Sequence, residues 1–268
     1  MSRFPQPQGT KGSLRWIQHL VTQHPHVLNE SLGIGPVECR SPRADDGFAE
    51  YRDQAFLERL GIILPNQQLD DFWPSGGPQW DALGRASSGE IVLVEAKAHV
   101  PELLSPPTQA TGKSAELIRH SLSEAANGLH ASPGLDWSQR FYQHANRLAH
   151  AWFLTHVNGL TVRLSFVHFI GDADMNGPSD RREWEAALTV LHEALGLRGR
   201  MPRYVAEVFI DVRPSVPTIA RMVRPGLPAP PTYPARSGKV RGHNPLGQEV
   251  VRSVKPILRE HLLCKPPR

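Results

Sequence analysis

The chain has 268 residues, 40% of them hydrophobic and 21% charged, with a formal net charge of +4 and two cysteines. That length suits one domain with a substantial core plus extensions, or two small domains, with no need of staples. Cys39 and Cys264, near opposite ends, are too few for a disulfide framework and point to a reducing compartment, the cytoplasm.

The start, MSRFPQPQGTKGS, carries prolines and glycines where a secretory signal carries an apolar run, and no later stretch approaches the length of a membrane span. A soluble protein with no membrane partner is expected. The basic excess is local: residues 214–268 hold ten Lys or Arg against Glu249 and Glu260, net +8, which leaves −4 for residues 1–213. Of the 30 basic residues only six are lysines, so a lysine at a motif position is informative.

Residues 1–44 read as an N-terminal helical extension, with Leu14, Ile17, Leu20 and Val21 at helical spacing up to the His24-Pro25-His26 break. The segment FAEYRDQAFLERLG, 48–61, is expected to form a helix that groups Phe48, Ala55, Phe56 and Leu60 and carries Glu50, Asp53 and Glu58 elsewhere on its surface. The run Ile62-Ile63-Leu64 reads as a short strand stopped by Pro65, and two further strands follow at roughly 79–85 and 90–98.

Helical spacing recurs over 113–130 and 138–157, a strand is expected over 161–171, then a helix over about 180–197 and a strand over 204–212. Helix, three strands, two helices, strand, helix, strand is the order of a single α/β domain over 45–213, with a mixed central β-sheet flanked by helices. From Pro214 the character changes to a Pro/Arg-rich basic tail, 214–268, which holds eleven of the 25 prolines and reads as extended. Its last apolar cluster, Val250, Val251, Val254, Ile257 and Leu258, suggests a short docking helix interrupted by Pro256.

The chemistry concentrates in WDALGRASSGEIVLVEAK, Trp80 to Lys97. Strand alternation points Glu95 and Lys97 one way and Val94 and Ala96 the other. A hairpin pivoting near Ser88 sets Asp81 opposite Glu95, about 5 Å apart at Cβ, close enough for the two carboxylates to share a hard divalent cation. Buried acids so placed repel unless a positive ion lies between them. Mg²⁺ or Mn²⁺ answers that need; the Ala96 backbone carbonyl can add a third oxygen, and the Lys97 ammonium can hold or deprotonate an attacking water. Such a set suits phosphodiester hydrolysis. The alternative is a solvated strand end on which Glu95 and Lys97 simply ride.

Asp81, then Glu95-Ala96-Lys97 after an apolar strand, with an acid-bearing helix before them, resembles the PD-(D/E)xK nuclease superfamily and its restriction-endonuclease-like fold over about residues 45–213. The resemblance implies Asp81 and Glu95 as metal ligands, Lys97 as the catalytic lysine and Glu50 as the first-helix acid, with Asp53 or Glu58 as other candidates. It also implies a glutamine on a later helix, here Gln143, although Arg147 stands where the common Gln-xxx-Tyr form has its tyrosine. The residue before Asp81 is Trp80 rather than the motif's proline. A metal-dependent nuclease acting on DNA is therefore expected, as a homodimer if both strands are cut; the other class is a catalytically idle nuclease-like domain that binds nucleic acid or acts as a scaffold.

Three other signals compete. The loop DADMNGPSDRRE, Asp172 to Glu183, fits the calcium-loop formula as a string, yet a strand enters it and Ser179 stands where an apolar residue belongs, so a turn feeding a helix capped by Asp180 and Glu183 is preferred. Thirteen histidines include no His/Cys set with ligand spacing, and His99, two residues beyond Lys97, reads as a strand-end histidine near solvent. The basic tail either adds salt-dependent affinity for a polyanion or is an inert extension.

Overall fold

The structure, a computed structural model, describes residues 2–198, 201–213, 240–243 and 249–252. Residues 1–215 form one unit and 216–268 another. The first unit is built on a five-stranded mixed sheet in the order β2-β4-β5-β6-β7: β2 (Val37–Ser41), β4 (Ala82–Ala86), β5 (Ile91–Lys97), β6 (Val162–Ile170) and β7 (Val205–Asp211). Strands β2, β4 and β5 run antiparallel, whereas β5, β6 and β7 run parallel. An α/β fold with a mixed sheet flanked by helices is what the element order had implied.

Alternation sorts the sheet into two faces. One buries Leu83, Ile91, Leu93, Leu164 and Phe166 beneath α3 (Asp53–Leu60), α5 (Gly112–Gly128), α6 (Tyr142–Trp152) and α7 (Arg181–Ala194). The other buries Val92, Val94, Ala96, Val167 and Phe169 beneath α1 (Gly12–Gln23) and α2 (Pro25–Leu32). Parallel strands are covered on both faces, as they must be to keep their ladders dry.

Residues 1–44 are thus not an extension. Ile17, Leu20, Leu28 and Leu32 are core residues, Pro25 opens α2 where a missing N–H costs nothing, and β2 is one of the sheet's two edge strands. The expected helix over 48–61 is shorter. The backbone is left-handed at Phe48 (φ 49°) and Asp53 (φ 51°), so α3 begins only at Asp53. Glu50 and Tyr51 form the short strand β3, paired with β1 (Arg3–Phe4) and bridged from Tyr51 to Trp80.

The run 62–64 forms no strand. Ile62 and Leu64 are buried while Ile63 is 85% exposed, and none of the three pairs with the sheet. The third antiparallel strand is β2, which precedes α3. A one-turn helix α4 (Leu69–Phe72) fills the loop before β4, and α6 continues as a π turn over Phe153–Val157. In the second unit, β8 (Val240–His243) pairs antiparallel with β9 (Glu249–Arg252). Val250 and Val251 therefore lie in a strand rather than the expected docking helix, while Val254, Ile257, Leu258 and Cys264 lie outside the described residues. No helix among the described residues is long and apolar enough to cross a membrane.

Candidate active centre

The centre is built on the β4–β5 hairpin. Ser87, Ser88 and Gly89 form a three-residue loop, closed by bonds between Ala86 and Glu90 and from the Gly89 N–H to Ala86. Gly89 takes φ 87°, the left-handed position such a loop reserves for glycine. The register that follows, Ala82 to Val94 and Leu83 to Leu93, places Asp81 opposite Glu95 when continued by one residue. Asp81 Oδ2 accepts the Ala96 N–H at 2.6 Å. A strand residue turns its N–H and C=O to the same neighbour, so the Ala96 carbonyl also lies on the Asp81 side.

Glu95 is 3% exposed and holds two cations. Lys97 Nζ lies 2.5 Å from Oε1 and Arg147 Nε 2.7 Å from Oε2. Arg147 comes from α6 and also donates to the Gln79 carbonyl at 2.8 Å and to Asn146 Oδ1 at 2.8 Å. Gln143, one helical turn earlier on the same face, presents Oε1 at 3.4 Å from Lys97 Nζ. Glu50, buried on β3, accepts amide bonds from Gln79 at 2.5 Å and Gln6 at 3.1 Å.

The electrostatics divide the acids. Burial alone would raise the Glu95 carboxyl, but Arg147 and Lys97 hold it below the usual range. Asp81 is raised well above its ordinary value by burial and by the charges of Glu95 and Glu50, which outweigh the pull of Lys97 and of the Ala96 N–H. Burial and the Glu95 charge likewise raise Glu50. For Lys97, burial works against the charged form, yet Glu95 and Asp81 prevail and its pKa is raised, which makes it an ammonium donor rather than a resting base.

Glu50 and Glu95, both buried, and the half-buried Asp81 thus share two cations, both of them seated on Glu95. Asp81, whose carboxylate meets only a backbone N–H, and Glu50, held by neutral amides, are the carboxylates that a hard divalent ion would relieve. The donors are all hard oxygens, the kind a hard divalent cation takes. The oxygens of Asp81, Glu95 and Glu50 do not all lie within 4.8 Å of one another, so the three do not form one compact cage.

Asp81, Glu95, Lys97, Gln143 and Glu50 are brought together, Glu50 from a strand rather than a helix. Asp53 serves elsewhere, accepting from Ser2 and from the Gly76 and Gly77 N–H groups, and Glu58 is exposed on α3. In the 172–183 loop each acid is already engaged: Asp172 with Trp16 and the Asp174 N–H, Asp174 with Arg15, Asp180 as the cap of α7, and Glu183 with Ser179. His99 lies 3.2 Å from Glu102.

Arg147 and Gln79 were missed. The i, i+4 spacing of Gln143 and Arg147 was the available signal for the first, while Gln79 sits in a loop with no pattern to read. Missed too was a meeting of His144, His192 and Glu207, whose ligand atoms lie within 4.8 Å of one another although their elements are distant in sequence. Compared with protein-family models, with curated proteins and with solved structures, the chain matches none.

Proposed function

We propose that the chain is a metal-dependent nuclease of the PD-(D/E)xK kind, a Mg²⁺- or Mn²⁺-dependent phosphodiesterase acting on nucleic acid, most naturally DNA, in the cytoplasm. The observation that supports it is the hairpin register, which sets Asp81 across from Glu95 with Lys97 on the Glu95 face. The strand arrangement, an antiparallel trio joined to a parallel strand through helices, agrees with that reading. Cutting both strands of a duplex would take two such centres, hence a homodimer.

Asp81, Glu95 and the Ala96 carbonyl would hold the ion, with Glu50 beside them. An ion held there would supply Lewis acidity, lowering the pKa of a water and offsetting charge on the phosphoryl group. Lys97, kept protonated, donates from Nζ to a non-bridging phosphate oxygen and stabilises charge that develops there. Arg147 fixes the Glu95 carboxylate by its Oε2, while Oε1 accepts from Lys97, whose Nζ also meets the Gln143 amide oxygen.

A second reading, a nuclease-like domain that binds without cutting, is favoured by one observation: both oxygens of Glu95 are already paired. Incubating the full chain with single- and double-stranded DNA and RNA in Mg²⁺, Mn²⁺ or EDTA separates the two. Nuclease activity is expected in the metals, absent in EDTA, and reduced at least a hundredfold in Asp81→Asn, Glu95→Gln and Lys97→Met (one removed electrostatic contact costs about 10²–10³). Equal cleavage by wild type and variants would overturn the assignment; retained binding without cleavage would favour the second reading.

A further inference from the structure

Beyond the carboxylate centre, the same sheet face carries a second polar cluster. The parallel register sets Lys97 beside His168 on β6, and Phe166 beside Glu207 on β7. Glu207 Oε2 lies 2.5 Å from His168 Nε2, and Oε1 lies 3.2 Å from His192 Nε2 on α7. From α6, His144 stacks its ring on Phe166 at a centroid distance of 3.8 Å, and a ring nitrogen comes within 4.8 Å of the Glu207 and His192 ligand atoms. His144 is 5% exposed, and its Nε2 has no hydrogen-bond partner among the described residues.

An unpartnered imidazole nitrogen in a buried position is costly unless something accepts it. A neutral imidazole keeps one ring lone pair, which suits a borderline metal ion. Glu207 supplies a carboxylate whose two oxygens are oriented by His168 and His192.

We propose that His144, His192 and Glu207 form a binding site for a borderline transition-metal ion of the zinc class, separate from the Mg²⁺-type centre. Two imidazoles and one carboxylate, supplied by three separate elements, leave a fourth position open, and imidazole ligation selects zinc-class ions over Mg²⁺. His168, bonded to the second oxygen of Glu207, is the orienting partner such carboxylate ligands ordinarily have. His144 and His168 also line the small cavity bordered by Glu95, Lys97 and Gln143.

The test uses the full, tag-free chain stripped with EDTA and titrated with Co²⁺, followed by visible absorption and metal analysis. One equivalent with the intense d–d bands of a low-symmetry site is expected, displaced by one equivalent of Zn²⁺ and not by excess Mg²⁺. His192→Gln, on a half-buried side chain, and Glu207→Gln should abolish the bands, and His168→Gln should weaken affinity by about 10–100-fold. Asp81→Asn and a His24→Ala/His26→Ala double variant should keep them.

Far-UV circular dichroism of each variant confirms that it folds, and His192→Gln decides the matter should Glu207→Gln fail to fold. No stoichiometric uptake, or bands that survive His192→Gln, would overturn the site. So would bands lost with Asp81→Asn, which would assign the ion to the carboxylate centre instead. Because binding is read without activity, failure here leaves the nuclease reading standing, and the reverse also holds.

Discussion

Glu95 is the most heavily compensated side chain in the centre, and Arg147 is the residue that compensates it from deepest within the fold. Breaking a buried ion pair by removing one partner leaves a charge uncompensated, so Arg147→Met is expected to lower unfolding free energy by about 3–5 kcal/mol, read from urea denaturation. His150 makes a different prediction. It is buried against Trp73 and Phe72, its Nδ1 lies 2.8 Å from the Asn146 carbonyl, and burial lowers its pKa from 6.5 to about 3. The unfolded chain takes up that proton as pH falls below 6.5, whereas the folded one refuses it until about 3. Stability is therefore lost as pH falls through that window. His150→Leu should show a smaller drop in Tm than wild type between about pH 7 and about pH 5.

At the scale of elements, the hairpin was legible in the sequence because its turn, its apolar alternation and its charged ends agree with one another. Strand β2 was not. VECRS places Glu38 and Arg40 on an exposed edge and carries too little apolar alternation to be read as sheet. Glu50 was assigned to a helix since nothing in FAEYRD signals the left-handed residues that break it. The β2–β4 contact is nonetheless tight: a Cβ at Gly84 would stand 2.7 Å from Val37 Cγ1 and 3.0 Å from the Glu38 carbonyl. Gly84→Val should cost roughly 1–3 kcal/mol by forcing the edge strand outward, measurable as a lower urea midpoint. Helix α6 is the element on which sequence reading gained and lost most. Its Gln143 was pointed to by the family resemblance, but the buried partners of Arg147 and His144 lie on other strands and have no local signature.

Across the whole molecule, the first 44 residues roof one entire face of the sheet. Ile17, Leu20, Leu28 and Leu32 cover Val92, Val94, Ala96 and Val167, and β2 occupies the edge next to β4. A chain beginning at residue 45 would bare both an apolar face and an unpaired strand edge, a combination that drives association. It is expected to elute as aggregate in size-exclusion chromatography and to lack a cooperative melt, whereas a separable extension would leave both unchanged. The sequence pattern of α1 was read correctly as a helix; what it could not disclose is which sheet face that helix serves, because a helix's apolar stripe does not name its partner.

Strand β5 is zipped to its two neighbours over unequal lengths. Its ladder with β6 runs on to Lys97, but the one with β4 stops at Val94. In the missing rung, a carboxylate stands in for a backbone carbonyl: Asp81 closes the gap by taking the Ala96 N–H. Two substitutions there should consequently diverge in stability. Asp81→Asn keeps an acceptor for that N–H while discarding an ill-placed charge, and should melt above wild type at neutral pH. Asp81→Ala leaves the buried Ala96 N–H unmet, at a cost of about 1–3 kcal/mol, and differential scanning calorimetry of the pair would show the aspartate acting as a seam.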